Sequence, residues 1–103
     1  MKTIVLLTCT LVFCMNAFAY TVQENKNACN KGETEKCFYL GKAYSNGEGV
    51  QQDKAQAVKW YTKAAEQGHA KAKYNLGVVY SKGDGVQQDK AQAVKWFTKA
   101  AEQ

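Results

Sequence analysis

Few residues of this 103-residue chain could make it an enzyme or a metal protein. They are two of its four cysteines, its one histidine and its two serines. A structural zinc site needs four close ligands, which Cys29, Cys37 and the distant His69 do not supply. Ser45 is followed by Asn-Gly-Glu and Ser81 by Lys-Gly-Asp, so neither serine begins an S-x-x-K motif or has a general base beside it. We therefore predict no catalytic residue, no metal and no cofactor, and we expect His69 to be a solvated residue near the start of a helix.

The first nineteen residues have the pattern of a secretory signal peptide. Lys2 precedes an apolar run over residues 4–13, and Ala17-Phe18-Ala19 offers a small-x-small cleavage site. A retained membrane anchor is the alternative, although the apolar stretch is shorter than the about 20 residues that a bilayer requires. We expect cleavage after residue 19, export to the periplasm or the medium, and no stable membrane insertion afterwards.

Cys29 and Cys37 are the cysteines that remain once the signal peptide, with Cys9 and Cys14, is removed. An even number of cysteines in an exported chain points to a disulfide. Such a bond suits a small domain with a thin core, because it would stabilise the fold by roughly 2–3 kcal/mol.

The charge pattern argues against a nucleic-acid partner. Thirteen lysines and nine acidic residues follow residue 19, and the chain has no arginine. Nucleic-acid binding proteins rely on arginine forks and clustered basic stripes, whereas these lysines alternate with Glu, Asp and Gln. We expect a solvated, mildly basic surface.

The segment VQQDKAQAVKW occurs twice, at Val50–Trp60 and at Val86–Trp96, which are thirty-six residues apart. Residues 47–67 and 83–103 differ only at Glu48/Asp84 and Tyr61/Phe97. A fixed period of this size is typical of stacked-repeat proteins, in which no unit can bury its apolar face alone.

Each unit is expected to form two helices. The first runs from Thr34 to Asn46 with apolar residues at helical spacing, and the glycines after it end it. The second begins after Asp53, an N-cap residue. The second unit repeats this plan with a helix over Ala70–Lys82 and another from Asp89 onward. The fold class is therefore all-α, an α-solenoid of stacked antiparallel helix pairs.

The repeated pattern is similar to that of the Sel-1-like repeats, a tetratricopeptide-like family. The residues that carry it in the second unit are Ala72, Tyr74-Asn75-Leu76-Gly77, Tyr80, Gly83, Gly85-Val86, Asp89, Ala93, Trp96-Phe97 and Ala100-Ala101. The resemblance implies a right-handed superhelix with a concave inner wall. We divide the chain into a signal peptide (1–19), an N-terminal cap helix left from a degenerate repeat (20–32), repeat 1 (33–68) and repeat 2 (69–103).

The resemblance also implies a function. Members of this family usually serve as adaptors or scaffolds, so we expect a non-catalytic protein that binds a protein or peptide partner. The spacing of Cys29 and Cys37 resembles that of the cysteine-rich exported bacterial branch, in which such pairs form disulfides. Some exported relatives are described as β-lactam-binding or β-lactamase-like, which is the alternative function.

By analogy with similar repeats, the first helix of each pair would line the concave wall. Val78 is the informative position, because one of the adjacent Val78 and Val79 must turn away from the core. The predicted partner-binding residues are Glu35, Lys42, Ser45, Asn46, Lys71, Asn75, Val78, Ser81 and Lys82.

The last predicted helix is expected to lack a capping helix. The sequence stops at Gln103, one residue before the position that Gly68 occupies in the first unit, and no polar capping helix follows. Because solenoids usually need such a cap, we expect the outer face of Asp89–Gln103 to be bare and available for self-association or for a partner.

Overall fold

The structure, a computed structural model, describes residues 22–103 of the chain, so the predicted signal peptide lies outside the described residues. The described part contains helices and turns and no strand. Residues 22–30 are helical and are called α1. Four helices follow: α2 (Thr34–Asn46), α3 (Lys54–Glu66), α4 (Ala70–Lys82) and α5 (Lys90–Ala101). The all-α prediction is confirmed.

Local chemistry fixes the helix ends where the sequence predicts them. The carboxylate of Asp53 accepts a hydrogen bond from the backbone N–H of Gln56 at 3.1 Å, and Asp89 accepts one from Gln92 at the same distance. Each satisfies one N–H group that the first helical turn leaves without a partner. Gly47 ends α2 in the left-handed conformation with φ of 72°, where glycine carries no Cβ penalty.

Packing runs along the chain, with α3 against α2, α4 against α3 and α5 against α4. Leu40 of α2 and Leu76 of α4 are fully buried, and burial of each side chain contributes roughly 1.5–3 kcal/mol. The core is continuous through α3, whose buried residues are Ala57, Val58, Trp60, Tyr61, Ala64 and Ala65. The predicted solenoid of stacked helix pairs is confirmed.

Each helix pair is held together by an aromatic ring that lies against a glycine. A Cβ atom built on Gly41 of α2 would lie 2.5 Å from the Tyr61 ring of α3, and one on Gly77 of α4 would lie 2.5 Å from the Phe97 ring of α5. Only glycine permits this approach of ring to backbone.

Gly41→Ala is expected to lower the free energy of unfolding by about 1–2 kcal/mol, measured by urea denaturation. Overpacking against the buried Tyr61 ring costs more than alanine gains from its higher helix propensity. Gly77→Ala is the matched comparison and should cost less, because the Phe97 ring is half exposed and can swing outward. A more stable Gly41→Ala protein would contradict the analysis.

A disulfide ties α1 covalently to α2. Cys29 of α1 and Cys37 of α2 form a disulfide, and both residues are fully buried. The bond closes a loop of only eight residues in sequence. Its stabilising effect therefore comes from restricting a short segment of the unfolded chain.

Replacing both Cys29 and Cys37 with serine should lower the free energy of unfolding by about 2–3 kcal/mol. The measurement is chemical denaturation of the oxidised native protein and of the double variant. Treatment with a reductant should lower the midpoint of the native protein and leave that of the double variant unchanged. A native protein whose midpoint does not respond to reductant would count against this role of the disulfide.

Candidate protein-binding surface

The predicted partner-binding residues all fall on the two first helices, α2 and α4. Three of the exposed residues are lysines, so the surface is basic. The exposed residues are Glu35, Lys42, Asn46, Lys71 and Lys82, and the half-buried ones are Ser45, Asn75, Val78 and Ser81. Their role in binding stays a prediction.

Two of these residues, Ser45 and Asn75, affect the pKa of the Tyr61 hydroxyl group on α3. Burial raises the pKa of Tyr61 above its ordinary value; Glu48 acts in the same direction, and the side chains of Asn75 and Ser45 oppose it. The sequence assigned Tyr61 to the apolar stripe of its helix. The ring does pack in the core, against Gly41 of α2.

Lys54 joins the two repeats at the same junction. Its Nζ lies 3.4 Å from the Ser45 hydroxyl and 3.5 Å from the Asp84 carboxylate in the turn after α4. Lys54 donates this hydrogen bond to the Ser45 hydroxyl group. The sequence did not predict this contact. The signal that could have revealed it is a lysine in one repeat and an acidic residue thirty positions later in the next repeat.

His69 is not solvated, and the expectation that it would be was wrong. Its side chain is only 11% exposed because its ring stacks on Phe38 of the previous repeat, with centroids 4.5 Å apart. Nδ1 accepts a hydrogen bond from the backbone N–H of Ala72 at 3.2 Å and so caps α4. Nε2 therefore carries the proton in the neutral ring and donates to Glu35 at 3.2 Å.

Tyr39 is a further surface residue that the sequence analysis missed. It is 53% exposed on α2 and occupies the repeat position that Asn75 occupies in α4. It was overlooked because it lies between Phe38 and Leu40 in a run of apolar residues. An exposed aromatic side chain beside lysines is a typical anchor in protein interfaces.

Metal and membrane sites were also sought among the described residues. Residues 22–103 contain no cluster of three His, Cys, Asp or Glu side chains that could hold a metal ion. In the same range, none of the helices has both the length and the apolar character needed to cross a bilayer.

Comparison with known proteins identifies the repeat. The Sel1 repeat matches residues 37–69 and again residues 70–103. The chain belongs to the Sel1-repeat family. Such repeats commonly mediate protein–protein interaction. No curated protein matches the chain.

Solved Sel1-repeat structures share the fold. The Escherichia coli protein c5321, described as a protective antigen of uropathogenic strains with an SLR fold, is 54% identical with a TM-score of 0.72, covering 76% of this chain and 17% of that one. A Sel1 repeat protein from Oxalobacter formigenes is 46% identical with a TM-score of 0.67, covering 68% and 29%. Helicobacter pylori cysteine-rich protein B is 33% identical with a TM-score of 0.75, covering 79% and 61%. The present chain thus spans less than two thirds of each of these proteins.

Tyr61→Phe should make the fold less sensitive to alkali. The folded state raises the pKa of Tyr61, so the hydroxyl group loses its proton at a lower pH in the unfolded chain than in the folded protein. The stability that Tyr61 contributes is therefore lost as pH rises above about 10. Between about pH 8 and about pH 10.5, the free energy of unfolding measured by urea denaturation should fall more for the native protein than for the variant. Equal losses in the two proteins would contradict the assignment.

Proposed function

We propose that this Sel1-repeat protein is an exported, non-catalytic scaffold that binds an acidic peptide or helix of a partner protein along α2 and α4. The observation that carries the proposal is the presence of exposed lysines together with two apolar side chains, Tyr39 and Val78, on the first helices of the two repeats. Lysines would speed the encounter with an acidic partner, and the apolar side chains would supply contact area that excludes water.

A rigid junction supports this role. Glu35 and His69 are hydrogen-bonded at the starts of α2 and α4, and Lys54 bridges Ser45 and Asp84 near their ends. These contacts favour one arrangement of α2 and α4, which lowers the entropic cost of binding a partner that spans both helices.

Two features support the non-catalytic part of the proposal. The lysine nearest to Ser45 is held as an ion pair with Asp84, and within residues 22–103 the candidate surface offers no nucleophile paired with a base. The proposal excludes β-lactam hydrolysis, so sustained turnover of nitrocefin by the purified oxidised protein would contradict it.

Export is supported by the signal-peptide pattern of residues 1–19. The disulfide between Cys29 and Cys37 fits the same destination, because such bonds persist in oxidising compartments such as the periplasm.

The proposal is tested by chemical cross-linking of oxidised residues 20–103 in a periplasmic extract, followed by affinity measurement with the purified partner. Val78→Asp should weaken binding roughly tenfold, because it removes apolar contact and places a carboxylate against an acidic partner. Lys82→Glu should weaken binding about threefold, with a smaller effect at high salt.

Lys59→Glu is the matched control, since it makes the same charge change at an exposed position on α3. It should leave the affinity within about a factor of two of the native value. The thermal unfolding of each variant is measured alongside to confirm that the fold is intact. Unchanged affinity in both Val78→Asp and Lys82→Glu would remove α2 and α4 as the binding surface.

A further inference from the structure

Asn46 and Gly47 form the one asparagine–glycine step in the chain. Asn46 is the last residue of α2 and is exposed, and Gly47 follows it in the left-handed conformation. The second repeat has Lys82 and Gly83 at the same positions. Asparagine is a thermolabile residue, and glycine has no Cβ atom to shield its backbone nitrogen. The first repeat alone therefore places a side-chain amide next to the unshielded nitrogen of a glycine.

We propose that Asn46 is a site of spontaneous deamidation through a cyclic succinimide. The backbone nitrogen of Gly47 attacks Cγ of Asn46 and forms a new C–N bond. The bond from Cγ to Nδ2 breaks, and the amide leaves as ammonia with the proton from the Gly47 N–H group. Water then opens the ring at either carbonyl and leaves an aspartate or an isoaspartate. The overall reaction consumes water and releases ammonia, and it needs no other reagent.

The fold controls the rate of this reaction. The N–H group of Gly47 donates to the backbone oxygen of Ala43, and the N–H group of Glu48 donates to the same oxygen at 2.9 Å. Attack on Asn46 requires a free Gly47 nitrogen, so the last turn of α2 must open first. Helix termini open at a low cost in free energy. The folded state therefore slows the reaction without preventing it.

Gln52 keeps this turn closed. Its side chain donates to the backbone oxygen of Ser45 at 2.8 Å, and a Cβ atom built on Gly47 would lie 3.3 Å from the Cβ atom of Gln52. Gln88 donates in the same way to Ser81 at 2.8 Å in the second repeat. The chain thus contains the same hydrogen bond beside a lysine–glycine step, where deamidation is chemically impossible.

Deamidation places a negative charge where the structure disfavours one. The new carboxylate faces Glu48, whose Oε1 accepts a hydrogen bond from Asn46 Nδ2 at 3.2 Å in the unmodified protein, and like charges repel. It also lies at the C-terminal end of α2, where the helix dipole disfavours an anion. A further consequence rests on the proposed function: the added charge would weaken the binding of an acidic partner along α2 and α4.

The test follows the purified oxidised protein during incubation in mildly alkaline buffer. Cleavage after Lys42 and Lys54 yields the peptide of residues 43–54, in which mass spectrometry detects the replacement of the Asn46 amide by a carboxylate. We expect both aspartate and isoaspartate, because water opens a succinimide at either carbonyl. The rate should lie within about tenfold of the rate in a free synthetic peptide of residues 43–54.

Gln52→Ala should raise the rate of deamidation about threefold or more, because it removes the side-chain hydrogen bond that closes the turn. Gln88→Ala is the matched control. It removes the same bond from the second repeat and should leave the rate at Asn46 unchanged. Asn46→Lys copies the residue of the second repeat and should abolish the modification.

Two results would overturn the proposed site. One is an unmodified Asn46 in the folded protein after roughly ten half-lives of the free peptide. The other is conversion to aspartate without isoaspartate, which would indicate direct hydrolysis of the amide. Equal rates in the native protein and in Gln52→Ala would overturn the control of the reaction by the turn.

These measurements need no partner, so their outcome is independent of the proposed function. The consequence for binding is measured with Asn46→Asp, which should bind the partner identified by cross-linking about threefold more weakly than the native protein, with a smaller difference at high salt. Unchanged affinity of Asn46→Asp would overturn this effect on binding, whereas the mass spectrometry alone decides whether Asn46 is modified.

Discussion

The close contact between an aromatic ring and a glycine backbone is the constraint on which the rest of this structure depends. Tyr61 against Gly41 and Phe97 against Gly77 set the distance between the two helices of each pair. Because a pair has a single apolar seam and little volume, a displaced ring would also move Leu40 or Leu76, both of which are fully buried. The spacing of the pair then determines where the outer surfaces of α2 and α4 lie.

The stability of such a stack is the sum of the stability of each unit and the stabilising contacts between neighbouring units. The two ends of the described chain differ in how their helices are held. At one end, α1 is held on α2 by a buried disulfide, so a covalent bond compensates for a short helix with little surface to bury. At the other end, α5 packs on α4 alone within residues 22–103. An identical stretch of sequence can thus be core in α3 and surface in α5, because neighbours and not residue types decide burial.

The sequence predicted the features that depend on local chemistry. The bounds of α2 and α4, the Asp53 cap and the glycine at the end of α2 all follow from interactions within a few residues. The contacts across the repeat boundary were not predictable in this way. His69 was expected in solvent because the residues that cover its ring, Phe38 and Glu35, lie more than thirty residues away in sequence. The link between Lys54 and Asp84 was missed for the same reason.

The internal comparison also separates the parts of the repeat that pack from those that can vary. Where α3 and α5 are almost identical, α2 and α4 share only a leucine, a glycine, a tyrosine and a serine, which lie at or beside the seam with the second helix. Tyr39 becomes Asn75, and Lys42 becomes Val78. Packing within a pair requires the same residues in both units, because each first helix meets the same second helix. The differences between the repeats collect on α2 and α4. In the proposed function these differences would allow an asymmetric partner to distinguish one unit from the other.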